Sequence, residues 1–412
     1  MTQAFVLGGV RTPVGRYGGS LSHVRLDDLL GRTMVWACER VGVPLERIED
    51  ISAGCVNPAH EGMGDVARWA ALAAGFPDSV PAITVNRFCA SSLSSAISIA
   101  HAIRCDELSV GLAAGVESMS RSGWALMKGE APFMPRGPVL MLDTMWAGAG
   151  GPPNPVLLAR NAYIDMMQTA QNVADRYELT RAEIDAFALR SHLHAAAARD
   201  SGRLAKEIHP VEVPATRRQA GSLFEHDESI RADTTAEKLA ALPAQPNTTQ
   251  MTAGNSSPLN DGASAVVLAS EDAARELGVE PLARVVASAT HALDPQVMGI
   301  APAFAIPKAL ERAGLAPEDV DVWEVHEAYA SVAVAILREL PRQLNGFEVP
   351  DERLNPNGGA VAIGHPFGSS GTRYVLTLAT ELRERGARYG VLGVCVGSGQ
   401  GVALVLENAA HA

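Results

Sequence analysis

Four residues can carry nucleophilic or acid–base chemistry, and each falls where the backbone should turn. Cys89 lies in Asn86-Arg87-Phe88-Cys89-Ala90-Ser91-Ser92, where an apolar strand gives way to a helix of small residues. A helix N-terminus carries about half a positive charge and free N–H groups, which favours a thiolate. Ser91, Ser92, Ser94, Ser95 and Ala96 are small enough to let a substrate or a second helix approach. The same residues equally suit a cysteine buried in a close-packed helix. His365 sits among the glycines between Gly358 and Gly368. Glycine on both sides permits a tight turn that presents one imidazole to a cleft, as proton acceptor or oxyanion donor; such a histidine can also serve the turn alone. Cys395 ends a strand ahead of Gly397-Ser398-Gly399-Gln400-Gly401. The N–H groups of that loop suit an oxyanion, although a strand-end cysteine is otherwise ordinary core. His326 opens His326-Glu327-Ala328-Tyr329 between a strand and a helix. Ligands of α/β proteins bind at such junctions, and a histidine there can also cap the helix.

The elements that must position these residues follow from the apolar pattern. Segments 3–8, 48–53, 82–85 and 108–114 read as strands, and 26–41, 65–74 and 89–103 as helices. This alternation predicts a mainly parallel sheet covered by helices. The rhythm breaks near Arg121 and returns after Thr252, with strands at 265–269, 283–289, 320–325, 391–394 and 402–406. Helices are expected at 307–313, from Tyr329 to a stop at Pro341, and up to Gly386. The stretch between is irregular, with a turn-rich Gly148-Ala149-Gly150-Gly151-Pro152-Pro153. It has one clear helix, opened by the capping box Thr180-Arg181-Ala182-Glu183 and ending near Gly202. Such an insertion suits a binding lid better than a sheet. The plan is therefore two related halves, 1–121 with 251–273 and 274–412, around an inserted loop domain at 122–250.

At 412 residues the chain has room for two or three domains. A net charge of -12 argues against a broad surface for nucleic acid or anionic membrane. No apolar run approaches the ~18 residues of a transmembrane segment. Neither a signal peptide nor a C-terminal targeting tripeptide is evident, so a cytoplasmic location is expected. The five cysteines form no C-x-x-C pair, which leaves no zinc ribbon or disulfide framework and no metal site to expect. The glycines at 397–401 fail as a dinucleotide fingerprint, because they precede a strand and not a helix.

Taken in order, these segments resemble the thiolase family over nearly the whole chain. The resemblance rests on Arg11-Thr12-Pro13, the Cys89 segment, Gly115-Val116-Glu117-Ser118-Met119-Ser120 and Thr252-Ala253-Gly254-Asn255-Ser256-Ser257. It continues through His326-Glu327-Ala328-Tyr329, Asn357 to Gly368 and Cys395 to Gly401. It implies an α/β thiolase-like fold: two βαβαβαββ halves stacked in five layers (αβαβα), with an inserted loop domain. It also implies an acyltransferase. In cleavage, 3-ketoacyl-CoA loses acetyl-CoA and leaves an acyl group on Cys89, which a second coenzyme A removes; condensation reverses these steps. By the same resemblance His365 is the proton acceptor for Cys89, and Cys395 is the second acid/base, acting on the acetyl methyl or its enolate. His326 holds a water that, with His365, polarises the thioester oxygen. The backbone N–H groups of Cys89 and Gly397 form an oxyanion hole for the acyl-enzyme. Coenzyme A or acyl-CoA, as substrate with no permanently bound cofactor, would lie near Met166, Ser257, Leu259 and Ala328, with Arg231 as cation for a phosphate. Homodimers or homotetramers are usual in the family.

Several positions depart from the family pattern. Many members have asparagine where His326 stands, and a titratable water-holder would make activity more pH-sensitive. Ser92 and Ser398 replace more usual glycines, Pro258 follows Ser257, Gln245 stands where an aromatic often packs on the coenzyme, and 148–155 matches poorly. These departures leave the acyl group unassigned. Two rivals remain: a ketosynthase-like condensing enzyme, which would lack the role given to Cys395, and a non-catalytic thiolase-fold scaffold.

Overall fold

The strand Ala4–Arg11 (β1) is buried along its whole length, so it must be covered on both faces. That requirement sets the architecture. The computed structural model describes residues 2–57, 60–126, 138–139, 141–144, 154–217 and 220–412; the glycine-rich stretch at 148–153 lies outside them. After β1 come β2 (Gly15–Arg16), α1 (Leu26–Val41), β3 (Asp50–Gly54), α2 (Val66–Ala73), β4 (Ala82–Val85), α3 (Ser91–Arg104) and β5 (Val110–Ser118). The inserted segment holds β6 (Trp124–Leu126), β7 (Met141–Asp143), α4 (Pro155–Ala159), α5 (Met166–Arg176), α6 (Arg181–Asp200), β8 (Val211–Val213), β9 (Ser222–Phe224) and α7 (Ala236–Ala240). β10 (Asn260–Ser270) returns to the sheet beside β5, and α8 (Glu271–Leu277) follows. The second half comprises β11 (Ala283–Ala292), α9 (Pro302–Ala313), β12 (Val320–Val325), α10 (Ala330–Gln343), α11 (Ala360–Ile363), α12 (Ser370–Arg385), β13 (Tyr389–Val396) and β14 (Gln400–Asn408).

Alternate side chains of the strands enter different cores, which is how a two-period strand divides two layers. Ala4 and Val6 of β1 pack with Leu93, Ile99, Tyr374 and Leu378 of α3 and α12, whereas Phe5, Leu7 and Val10 pack with Leu29, Leu30 and Met34 of α1. On β14, Val402, Leu404 and Leu406 face the same α3–α12 layer. Ala403 and Val405 face Ile306 of α9 and Ile336 of α10. The order is therefore helix, sheet, helix, sheet, helix. The sheets of the two halves meet where β1 pairs with β11 at Phe5–Arg284 and Val6–Ala283. This closes one 10-stranded path, β12-β13-β14-β11-β1-β10-β5-β3-β4 with β2 on β10. In the second half, the place of β4 is taken by a single bridge between Trp323 and Leu354.

The structure differs from the sequence expectation in strand pairing and at several ends. In the large sheet, among the described residues, only β12–β13, β3–β4 and β3–β5 pair parallel, so the sheet is mainly antiparallel and not mainly parallel. The helix expected from Pro307 starts at Pro302, and the one expected to stop at Pro341 runs on to Gln343. An internal proline forfeits its N–H bond, but the buried faces through Ile306, Leu310 and Leu340 hold both helices in place. The insertion is not free of sheet: β6 pairs with β7, and β8 with β9. Its helix α5 went unread although Asp165 caps it, accepting the N–H groups of Met167 and Gln168. The Thr180–Glu183 capping box forms as expected.

Where α3 crosses α12 the backbones nearly touch. A Cβ on Gly371 would lie 2.0 Å from the Leu93 nitrogen, and Ser92 Oγ accepts the Thr372 N–H at 3.0 Å. Ser92 therefore ties the two central helices together. Gly371→Ala is expected to lower stability by about 1–3 kcal/mol through overpacking, as measured by denaturant unfolding; an unchanged midpoint would show that the helices can separate freely.

Candidate active site

The turn carrying Cys89 is fixed by its own side chains. Phe88 is in the left-handed region, at φ 44°, which bulky residues seldom occupy. Asn86 Oδ1 accepts the Phe88 N–H at 3.0 Å, and Ser91 Oγ accepts the Arg87 N–H at 2.9 Å while donating to the Phe88 carbonyl at 2.6 Å. Cys89 itself is partly exposed. Burial of its thiol pushes the pKa up to about 12, against the lowering effect of the Gly397 and Cys89 N–H groups and with a further rise from Glu117. This corrects the expectation that the helix N-terminus would yield a thiolate. α3 starts only at Ser91, and desolvation outweighs it. Burial thus favours the thiol form of Cys89.

The other three groups come from the second half and converge on one another. His326 follows β12 directly and its Nδ1 lies 3.4 Å from Cys395 Sγ. The His326 and His365 rings meet edge-on with centroids 4.3 Å apart. Cys395, at the end of β13, is fully buried, and its thiol is pushed well up, first by burial and then by Cys89. Cys89 and Cys395 thus lie within electrostatic reach of each other. Both also act on Tyr329, whose hydroxyl burial keeps protonated. The loop Gly397–Gly401 closes the site on the Cys89 side through the Gly397 N–H. Ser398 sits in this loop at φ 62°, a left-handed position where glycine would be unstrained.

Buried polar contacts hold the His365 loop in place. The His365 N–H donates to Asn260 Oδ1 at 2.9 Å, and the Gly368 N–H donates to Glu117 at 2.8 Å. Glu117 also accepts the N–H groups of Val56 and Asn57 at 3.0 and 2.9 Å. Burial nevertheless pushes its carboxyl up to about 7. Glu327 joins this loop to the His326 element: it accepts the Ser191 hydroxyl, Asn355 Nδ2 and the Val361 N–H. A Cβ at Gly359 would lie 2.2 Å from its carboxyl carbon, so only glycine fits. Ser370 Oγ lies 2.7 Å from His365 Nδ1 and 3.0 Å from the Pro366 carbonyl. A serine donating to that carbonyl accepts from Nδ1–H, which leaves Nε2 unprotonated. Nε2 of His365 and Nε2 of His326 are both buried without a hydrogen-bond partner. Burial, then His326 and Arg373, pushes His365 well down. A neutral imidazole with a free Nε2 is the form that accepts a thiol proton.

Of the residues expected near the coenzyme, Ser257 and Ala328 are joined directly, the Ser257 N–H donating to the Ala328 carbonyl at 3.1 Å. Met166 opens α5 and packs on the core that contains Ala328. Leu259 and Arg231 are exposed. The Arg231 N–H donates to His192 Nδ1 at 3.3 Å, but no described contact joins either residue to the Ser257–Ala328 pair. Sequence reading missed Asn260, Ser370 and the clamp made by Glu117; only Ser370, five residues after His365, lay close enough to suggest itself.

Two consequences can be checked. His326 is driven down to about 3, first by burial and then by Arg373, so it stays neutral at any working pH. This argues against the expected pH sensitivity. His326→Asn is expected to leave the shape of the pH–rate profile unchanged, and a displaced acid limb would mean that the imidazole titrates. Ser370→Ala removes one hydrogen bond that fixes the His365 tautomer. It is expected to reduce kcat about tenfold with little change in KM, since a bond worth ~1 to 1.5 kcal/mol is lost.

Comparison with known proteins follows this geometry closely. The family described as "Thiolase, N-terminal domain" matches residues 4–272, and "Thiolase, C-terminal domain" matches 279–408. The chain is 44% identical to the beta-ketoadipyl-CoA thiolase of Pseudomonas aeruginosa, over 98% of this chain and 99% of that one. Among solved structures, the acetyl-CoA acetyltransferase of Bacillus anthracis superposes with a TM-score of 0.90 at 38% identity, covering 99% of each chain. Human mitochondrial 3-ketoacyl-CoA thiolase in complex with CoA superposes at 0.88 with 34% identity, over 99% of this chain and 98% of that one. Fold, order of elements and sequence agree over the full length, and the chain belongs to the thiolase family of acyltransferases.

Proposed function

We propose that this chain cleaves a 3-ketoacyl-CoA with coenzyme A, using Cys89, His365, Cys395 and His326 in the roles their geometry suits. The observation that carries the proposal is the chain of contacts from thiol to imidazole: Cys395 and His326 3.4 Å apart, the His326 and His365 rings 4.3 Å apart, and Cys89 within electrostatic reach of Cys395. His365 Nε2 takes the Cys89 proton, and the sulfur attacks the 3-keto carbon. The C2–C3 bond breaks, its electron pair forming the enolate of acetyl-CoA, and the Cys395 thiol protonates C2. Acetyl-CoA leaves, and an acyl group remains on Cys89. A second coenzyme A gives its thiol proton to the Cys395 thiolate and attacks the acyl carbon. The acyl group departs as acyl-CoA, and the proton on His365 returns to Cys89. While negative charge sits on the enolate oxygen, His365 and a water held by His326 stabilise it. The Gly397 and Cys89 N–H groups, which already address the Cys89 sulfur, would serve the acyl carbonyl.

The inserted segment at 122–250 is proposed to carry the coenzyme. Met166 against the core of Ala328 and the Ser257–Ala328 hydrogen bond support this reading; Arg231, which is exposed, is the proposed phosphate partner. For the acyl group, the name of the P. aeruginosa relative favours beta-ketoadipyl-CoA, a chain ending in a free carboxylate, over the straight chains of β-oxidation. The B. anthracis structure favours acetoacetyl-CoA as the second reading. Self-association is also proposed. The outermost strand β4 exposes Ile83 (55%), and α2, which packs on β4, exposes Trp69 (50%); an uncovered apolar edge invites pairing. Among the described residues no helix is long and apolar enough to cross a membrane.

A panel of 3-ketoacyl-CoAs, assayed for thiolysis, tests the substrate. Preference for beta-ketoadipyl-CoA is expected, and activity confined to acetoacetyl-CoA would favour the second reading. Cys395→Ala is expected to slow carbon–carbon cleavage by about 100-fold or more while acylation of Cys89 stays visible by mass spectrometry. Equal loss of both would remove the division of labour between the two thiols.

A further inference from the structure

Behind the two imidazoles lies a buried charge that the reaction above does not use. Arg373 on α12 is 3% exposed and Glu324 on β12 is fully buried. Arg373 Nη1 and Nη2 and both carboxylate oxygens of Glu324 lack hydrogen-bond partners, and the two residues form no ion pair. Orphaned groups of this kind are rare inside proteins and call for an explanation. Burial pushes the Glu324 carboxyl up to about 8 and outweighs the lowering by Arg373, so Glu324 is not a charged partner at neutral pH. The other neighbouring carboxylates do not need Arg373. Glu207 is held by Arg11, Arg203 and Thr377, Glu381 by Arg203, Arg385 and Asn357, and Glu327 by Ser191 and Asn355.

Geometry connects Arg373 to the chemistry. Its guanidinium carbon lies 3.6 Å from the centroid of the Tyr374 ring. That ring meets His326 edge-on at 5.6 Å, and His326 meets His365 at 4.3 Å. Resting on the thiolase reading, we propose that Arg373 is a positioning residue for the enolate half of the reaction, a buried cation left uncompensated so that its field falls across the His326–His365 pair. A positive charge there favours negative charge on the thioester oxygen that the pair addresses, and disfavours positive charge on either imidazole. The lowering of both histidines by Arg373 agrees with this. An ion-pair partner for Arg373 would cancel the field, which accounts for the bare donors.

The test separates the two half-reactions in the full-length protein. Enolisation is read as exchange of the acetyl-CoA methyl protons with deuterated water, and acylation as label on Cys89. Arg373→Met is expected to reduce exchange about tenfold or more while acylation of Cys89 is retained or faster. Arg373→Lys, which keeps the charge, is expected to restore exchange to within about threefold of the parent by the same scale. Parallel loss of both half-reactions in Arg373→Met would assign a structural role and overturn the proposal. Should the methionine variant fail to fold, Arg373→Lys and Arg373→Gln read the same difference, and equal loss in these two overturns it. If the unmodified protein cleaves no 3-ketoacyl-CoA at all, the thiolase reading falls instead.

Discussion

Everything in this molecule depends on how closely α3 and α12 approach. Cys89, the proposed nucleophile, stands just ahead of the first helix, and His365, its proposed base, precedes the second by a few residues. Gly371 leaves room for Leu93, and Ser92 spans the gap to Thr372. A larger side chain at this crossing would separate Cys89 from His365, because packed interiors transmit volume changes rather than absorb them. The five layers exist to press these two helices together: each outer face of the sheets is covered so that the inner faces can close on them.

The site is a joint product of both halves. Cys89 and Glu117, which clamps the His365 loop, come from the first, and His326, His365 and Cys395 from the second. The pieces are fastened across the boundary by single hydrogen bonds with long sequence separation, such as Glu117 to Gly368 and Asn260 to His365. Each is buried, so losing one partner would strand the other without water to replace it. This explains why a site with few charged groups can be held rigidly.

What the amino-acid string disclosed follows from the same division. Cys89, His365, Cys395 and His326 were legible because each lies at a turn written locally, in glycines or in a switch from strand to helix. The alternation of elements and the capping box were legible for the same reason. Asn260, Ser370, Glu117 and Arg373 were not, since their value lies in a partner that no local pattern names. The ionisation states were misread for a related cause. A helix terminus is visible in sequence, whereas the depth of burial that raises Cys89 and lowers His326 emerges only once distant strands have packed.

One feature reaches beyond turnover. Burial pushes both sulfurs toward the thiol form, with Cys395 fully enclosed and Cys89 partly exposed. Peroxides attack thiolates far faster than thiols. A resting molecule is therefore a poor target for oxidants, and its sensitivity should rise only while a substrate is drawing the proton away.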